Sequence, residues 1–331
     1  MLKVHVCALA LVGVCWLARP LAVQGADILI SEDFASSPAL HGWQTYGETN
    51  LFSWNAANQN LEVTWDSSKE NSYFLHPLGA TLNRSNDFIL RFDLRLADIA
   101  IGPQPDKPYT FQIAVGLLNL TNATNANFLR GTGFTSPNLV EFDYFPDSGF
   151  GATVSPALIS SNNEYNDGGF TFPLELTAGD LYHVEMRFIA AQQTLTTRMT
   201  RNGQPFGPVN NATLGTWFSD FAVDYLAISS YSDAGQDPMF AGSIRAHGTM
   251  DNLAFISPPP VAQVSGGFGG TAWKVQVASQ LNWQYQLERT TDFQTWTGVS
   301  EIVAGNGGPL TLVDTQGTPV KAFYRVRAQQ P

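Results

Sequence analysis

The chain has 331 residues, of which 44% are hydrophobic and eight are Trp, enough apolar side chain to exclude intrinsic disorder and to build one large domain plus a small one. Acidic residues outnumber basic ones 28 to 17, for a net charge of −11. Such a surface repels phosphate backbones and anionic lipid, which argues against nucleic-acid partners and membrane insertion.

The first 25 residues read as a secretory signal peptide: Lys3, an apolar run over 4–17 broken by Arg19 and Pro20, and a small-residue end at Gly25. That run is too short to span a bilayer, and no later stretch of about 18 apolar residues offers a transmembrane helix. Both cysteines, Cys7 and Cys15, lie within it, so the mature chain is expected to be secreted or extracytoplasmic, at the cell surface or in a periplasm, without disulfides. The acidity is local. Residues 26–260 carry 24 acidic and 10 basic side chains, and residues 261–331 carry four and five. Neutral glycans and divalent cations remain as ligand classes.

From residue 26 onward helical periodicity is missing and alternation of period two recurs. Phe88, Leu90, Phe92, Leu94 and Leu96 share one face, and Tyr182, Val184, Met186 and Phe188 another, the pattern of half-buried antiparallel strands. Further strands are expected near 27–34, 51–56, 60–65, 72–78, 109–119, 138–145, 151–160, 193–200, 221–230 and 249–257. The Asn202-Gly203 pair marks a hairpin turn. A dozen strands in this length imply two packed sheets, an all-β class. A Pro-then-Gly break over 258–270 reads as a linker, dividing a domain over 26–257 from a module over 271–331.

The stretch Asn138-Leu-Val-Glu-Phe-Asp-Tyr-Phe-Pro-Asp147 puts Glu141 and Asp143 on one face of an apolar strand. It resembles the Glu-x-Asp strand of the concanavalin A-like lectin and glucanase superfamily, and residues 193–203 resemble a strand and Asn-Gly turn of laminin G-like domains. The resemblance implies a jelly-roll sandwich over 27–257. In the glucanases it implies a Glu-x-Asp-x-x-Glu strand; here Pro146 stands at the last Glu and Asp147 follows it, which misplaces a general acid. The legume-lectin pattern is met by Glu141, Phe142, Asp143, Phe145 and Asp147, but the second Asp and the His that complete its metal sites are missing from 151–157. In similar carbohydrate-binding jelly rolls the first and last strands pair and share a structural calcium, for which Asp33 and Asp251 are the candidate ligands. Residues 285–296 and 322–327 resemble a small fibronectin- or immunoglobulin-like β module that ends many exported bacterial proteins, with Trp296, Tyr285 and Tyr324 as its core.

A polar loop over 230–243 offers Tyr231, Asp233 and Asp237. Sugar recognition pairs an aromatic face with carboxylate or amide partners, and Tyr144 or Tyr231 is expected to reach solvent for that purpose. The scattered histidines lack zinc spacing, and no nucleotide-binding or serine-nucleophile motif occurs. The expected function is therefore noncatalytic carbohydrate binding or adhesion, with a polysaccharide or glycan as partner and Glu141, Asp143, Tyr144, Asp147, Tyr231, Asp233 and Asp237 at the ligand. Two other readings stand beside it. One is a glycoside hydrolase or polysaccharide lyase using Glu141 and Asp143, which burial of Glu141 against an Arg would remove; the other is a structural surface or matrix protein.

Overall fold

The computed structural model describes residues 4–6, 28–130, 135–258, 261–280, 283–317 and 321–329. The chain divides into two compact units, Ile28–Ser257 and a second formed by Pro258–Pro331 with Met1–Asp27. Strands dominate both, and among the described residues no helix is long and apolar enough to cross a membrane.

The Ile28–Ser257 unit is a sandwich of two antiparallel sheets. One runs Tyr165–Asn166, Ala157–Ile159, Leu139–Phe145, Ile113–Leu118, Val223–Ser230, Ser72–Leu82, Gln44–Tyr46, with Thr153–Val154 also beside Leu139–Phe145. The other is centred on Leu181–Ile189, Phe88–Ile101, Ile244–Ser257 and Asn60–Asp66. The first strand, Ile28–Glu32, pairs with the end of the last, Leu253 opposite Glu32, as expected. The alternating strand Phe88–Ile101 puts Phe88, Leu90, Phe92, Leu94 and Leu96 inside. Its Phe92 meets Phe142 edge-on across the sandwich at 5.4 Å.

That contact fixes the orientation of the Leu139–Phe145 strand. Val140, Phe142 and Tyr144 belong to the face that packs into the core. Leu139, Glu141 and Asp143 therefore project from the outer face of their sheet. Here the outer face is itself enclosed, because Leu139–Tyr144 and the neighbouring Ile113–Leu118 are buried on both sides. Gly116, paired with Glu141, makes this possible: a Cβ there would lie 2.3 Å from the Val140 carbonyl oxygen and 3.0 Å from Glu141 Cγ.

Strand bounds differ from expectation in two informative places. Pro156, which cannot donate to a ladder, splits the expected 151–160 strand into Thr153–Val154 and Ala157–Ile159. The last strand starts at Ile244, not 249, and its irregular pairing with Phe88–Ile101 absorbs a bulge at His247/Gly248.

The second unit has its own core of Trp273, Trp283, Tyr285, Leu287, Tyr324 and Val326 with smaller residues. Its strands include Val261–Gly269, Ala272–Ser279 and Pro309–Val313 in one sheet, and Gln284–Thr290 with Phe323–Gln329 in another. Residues Val4–Val6, within the expected signal, pair with Phe323–Gln329. Trp296 is not core: it is half-buried at the surface with the Arg325 guanidinium 4.2 Å above its ring.

Candidate functional site

The outer face of the Leu139–Phe145 strand is a buried ion cluster. Arg130 reaches it from the connection over 119–138, its Nε 3.0 Å from Glu141 Oε2 and its Nη2 2.5 Å from Asp143 Oδ2. Arg130 is 3% exposed, Glu141 1% and Asp143 fully enclosed. Tyr231 donates its hydroxyl to Glu141 Oε1 and lies under the guanidinium at 5.9 Å.

One guanidinium faces two carboxylates in a medium that screens poorly. Burial pushes the Asp143 carboxyl up to about 8, against the lowering effect of Arg130 and with added repulsion from Glu141 and Asp167. Burial raises Glu141 too, but Arg130 and the Tyr231 hydrogen bond both favour its charged form. The arrangement that balances charge is Arg130 cationic, Glu141 anionic and Asp143 carrying a proton. The same two carboxylates hold the Arg130 guanidinium firmly in its charged form. Beside the cluster, Asp143 Oδ1, Ser229 Oγ and Gln112 Nε2 are enclosed without hydrogen-bond partners. Ser229 and Asp143 flank Ala114 in register. This sheet face is polar but closed.

The Arg130 connection is built largely from asparagine, whose side chain readily satisfies turns. Asn119 caps the Leu120–Ala123 turn of helix by accepting from the Asn122 N–H. Asn125 accepts from the Asn127 N–H, and Asn138, at φ 64°, donates to Asn122 Oδ1 and accepts from the Ala222 N–H. Tyr73 donates to the Ala123 carbonyl and Asn71 to that of Phe128. Between these turns opens a pocket of about 240 Å³ lined by Asn122, Asn125, Asn127, Phe128, Thr135, Pro137 and Asn163. None of its lining residues is charged. The amide nitrogens of Asn122 and Asn125 and the side chain of Asn127 have no protein partner among the described residues. Asn163 Oδ1 is enclosed and unpartnered as well.

The structure distributes the expected site residues over several places. Glu141, Asp143 and Tyr231 do meet, but around Arg130 and away from solvent. Tyr144 does not reach solvent either: it lies on the opposite, core-facing side, and its hydroxyl accepts from the Leu176 N–H. Asp147 lies two residues past the end of the strand and accepts from the Gly149 N–H. Asp233 is 4% exposed and holds Lys107 at 2.6 Å, with Ser67 and Gln104 on its other oxygen. Asp237 is exposed and accepts from the Met239 N–H.

Asp33 and Asp251 come near each other through the pairing of first and last strands, and Asp251 is raised by burial and by repulsion from Asp93, Asp33 and Glu32. Each already accepts from a backbone N–H, of Ala35 and Asn252. Among the described residues no group of three or more His, Cys, Asp or Glu side chains is arranged to hold a metal. The donor set falls short of the six to eight oxygens calcium takes.

Sequence reasoning missed Arg130, the centre of the cluster, and the Asn pocket. A signal for Arg130 existed: it is the only Lys or Arg between Lys107 and Arg187, a stretch that carries eight acids.

No protein-family model matches the chain, and no curated sequence matches it. Several solved structures match the chain at low similarity. The alginate lyase Aly36B is 11% identical over 70% of this chain and 97% of its own, with a TM-score of 0.40. The Lotus tetragonolobus seed lectin is 14% identical over 69% of this chain and 98% of its own, with a TM-score of 0.44. The lectin UEA-II in complex with galactose is 11% identical over 71% and 100%, with a TM-score of 0.42. At these values nothing of what those proteins bind or cleave transfers to this chain.

Proposed function

We propose that the Ile28–Ser257 unit is a noncatalytic carbohydrate-binding module of an exported protein, and that the pocket between Asn122 and Asn163 takes a neutral sugar. The lining of that pocket carries the reading. The amide nitrogens of Asn122 and Asn125 offer donors and Asn163 Oδ1 an acceptor, which matches vicinal hydroxyls, while Phe128 and Pro137 provide apolar wall for the C–H side of a ring. Its volume is somewhat below the roughly 300–1,000 Å³ of drug-sized sites and fits a single sugar unit of a chain.

The ion cluster supports binding over catalysis. A retaining or inverting hydrolase needs two carboxyl groups facing the scissile bond, and a lyase needs a cation free to meet a substrate carboxylate. Glu141, Asp143 and Arg130 instead meet one another in the interior. In this reading their role is to fasten the connection that carries Asn125, Asn127 and Phe128.

A glycan array followed by calorimetry, with calcium and with chelator, tests the proposal. Asn125→Ala with Asn127→Ala should weaken binding about tenfold for each strong hydrogen bond lost, about 1.4 kcal/mol. Unchanged affinity in that variant would remove the pocket from the reading, and depolymerisation of a bound polysaccharide would replace it with an enzymatic one. Chelator sensitivity would return Asp33 and Asp251 to consideration.

A further inference from the structure

Three turns of this unit share one pattern: Asp147-Ser-Gly-Phe150, Asp167-Gly-Gly-Phe170 and Asp237-Pro-Met-Phe240. In each, the Asp Oδ1 accepts from the backbone N–H two residues on, at 2.9 Å from Gly149, 2.8 Å from Gly169 and 2.8 Å from Met239. This closure fixes the turn; Gly149 and Gly169 serve it with φ near +85°, a region closed to most side chains. Each turn then presents its Phe to solvent, Phe150 at 85%, Phe170 at 45% and Phe240 at 59% exposure.

The turns gather at one end of the sandwich. Phe170 lies 6.2 Å from Phe145 and 5.6 Å from the exposed Phe172, which lies 6.2 Å from Phe150. Tyr109, also exposed, packs so closely on Gly149 that a Cβ there would come within 2.7 Å of its ring. Tyr109 in turn bridges to Gly242, bringing the Asp237 turn alongside. Exposed apolar groups occur singly on any protein, but the contiguous set Phe170, Phe172 and Phe150, held by two of these closed turns, marks an interaction surface.

Charge selects the occupant. Each of the three turn phenylalanines has an aspartate three residues before it whose Oδ2 has no protein partner among the described residues. The surrounding unit is strongly acidic. Anionic lipid and anionic polymers are repelled by such a rim, whereas a neutral polysaccharide offers hydroxyl donors to the free carboxylate oxygens and apolar ring faces to the phenylalanines. We propose that this end of the sandwich is a stacking surface for a neutral polysaccharide, separate from the asparagine pocket. It stands on other residues and does not depend on the pocket reading.

The test is depletion of the full-length protein from solution by microcrystalline cellulose, chitin and granular starch, with alginate beads and phosphatidylcholine or phosphatidylglycerol vesicles in parallel. At least one neutral polysaccharide should deplete it and the other materials should not. Phe150→Ala with Phe172→Ala should lower the partition coefficient about tenfold, while leaving unchanged any soluble-sugar binding at the asparagine pocket measured by calorimetry. Phe150→Ala alone, at the most exposed ring, guards against misfolding of the double variant and should give a smaller loss. The proposal is overturned by any of three results: no depletion by the neutral polysaccharides, depletion indifferent to the phenylalanine variants, or co-sedimentation with vesicles. Self-association that disappears in Phe150→Ala would likewise assign the surface to a second copy of the chain.

Discussion

Arg130, Glu141 and Asp143 carry a net negative charge when all are ionised, and enclosure makes that state costly. Arg130→Met should therefore destabilise the sandwich by about 3–5 kcal/mol, since it strands a carboxylate, whereas Arg130→Met combined with Glu141→Gln and Asp143→Asn should recover much of the loss; urea unfolding followed by Trp fluorescence measures both. The same charge imbalance sets a pH dependence. Because burial raises Asp143 to about 8, the folded chain binds a proton there that the unfolded chain releases above the usual carboxylate range, near pKa 3.9. Stability from this group is full below that range and declines as pH rises toward 8, by about 1.4 kcal/mol per pH unit at most. Melting temperatures should thus fall from pH 5 to pH 8, and Asp143→Asn should flatten the profile while Glu141, Arg130, Tyr165 and Tyr231 stay in place. At this scale the sequence was half legible. The spacing of Glu141 and Asp143 put them correctly on one face, and the same parity, applied one residue further, places Tyr144 on the other. Their partner was harder to read, because an ion pair across a loop leaves no periodic trace.

The element that matters most is the connection over 119–138, which passes from one central strand to the next while supplying both Arg130 and the pocket. Its neighbour strand needs Gly116 for the outward-facing Glu141 to lie flat. Gly116→Val should cost at least about 1–3 kcal/mol through overpacking against the Val140 carbonyl and Glu141, and should also weaken sugar binding at the pocket, which calorimetry on the folded fraction would register. Strands with alternating patterns, such as Phe88–Ile101 and Leu181–Ile189, were plain in the sequence because one face meets water and the other the core. Leu139–Phe145 misled for the opposite reason. Its outer face was read as wet because it carries acids, yet burial there is decided by a loop packed upon it. That the turns of the Asn-rich segment enclose a pocket depends on Asn138 and Asn163, distant in sequence from Asn122.

At the level of the whole molecule, the charge step near residue 260 and the proline run fall where one core ends and another begins. Because the larger unit encloses its own core, a chain of residues 26–257 should keep its melting transition within a few degrees, and the proposed sugar binding should persist in it; calorimetry of that fragment checks both. The ion cluster also orders the assembly of this unit. Arg130 and Glu141 are 11 residues apart, but Tyr231 is 90 residues from Glu141, and the strand it follows, Val223–Ser230, enters between Ile113–Leu118 and Ser72–Leu82. A nascent chain that has not yet delivered Tyr231 keeps its guanidinium and carboxylates hydrated. Closing of the cluster thus coincides with completion of the sheet, and burial of the Tyr231 hydroxyl against Glu141 becomes a clock for how far folding has gone.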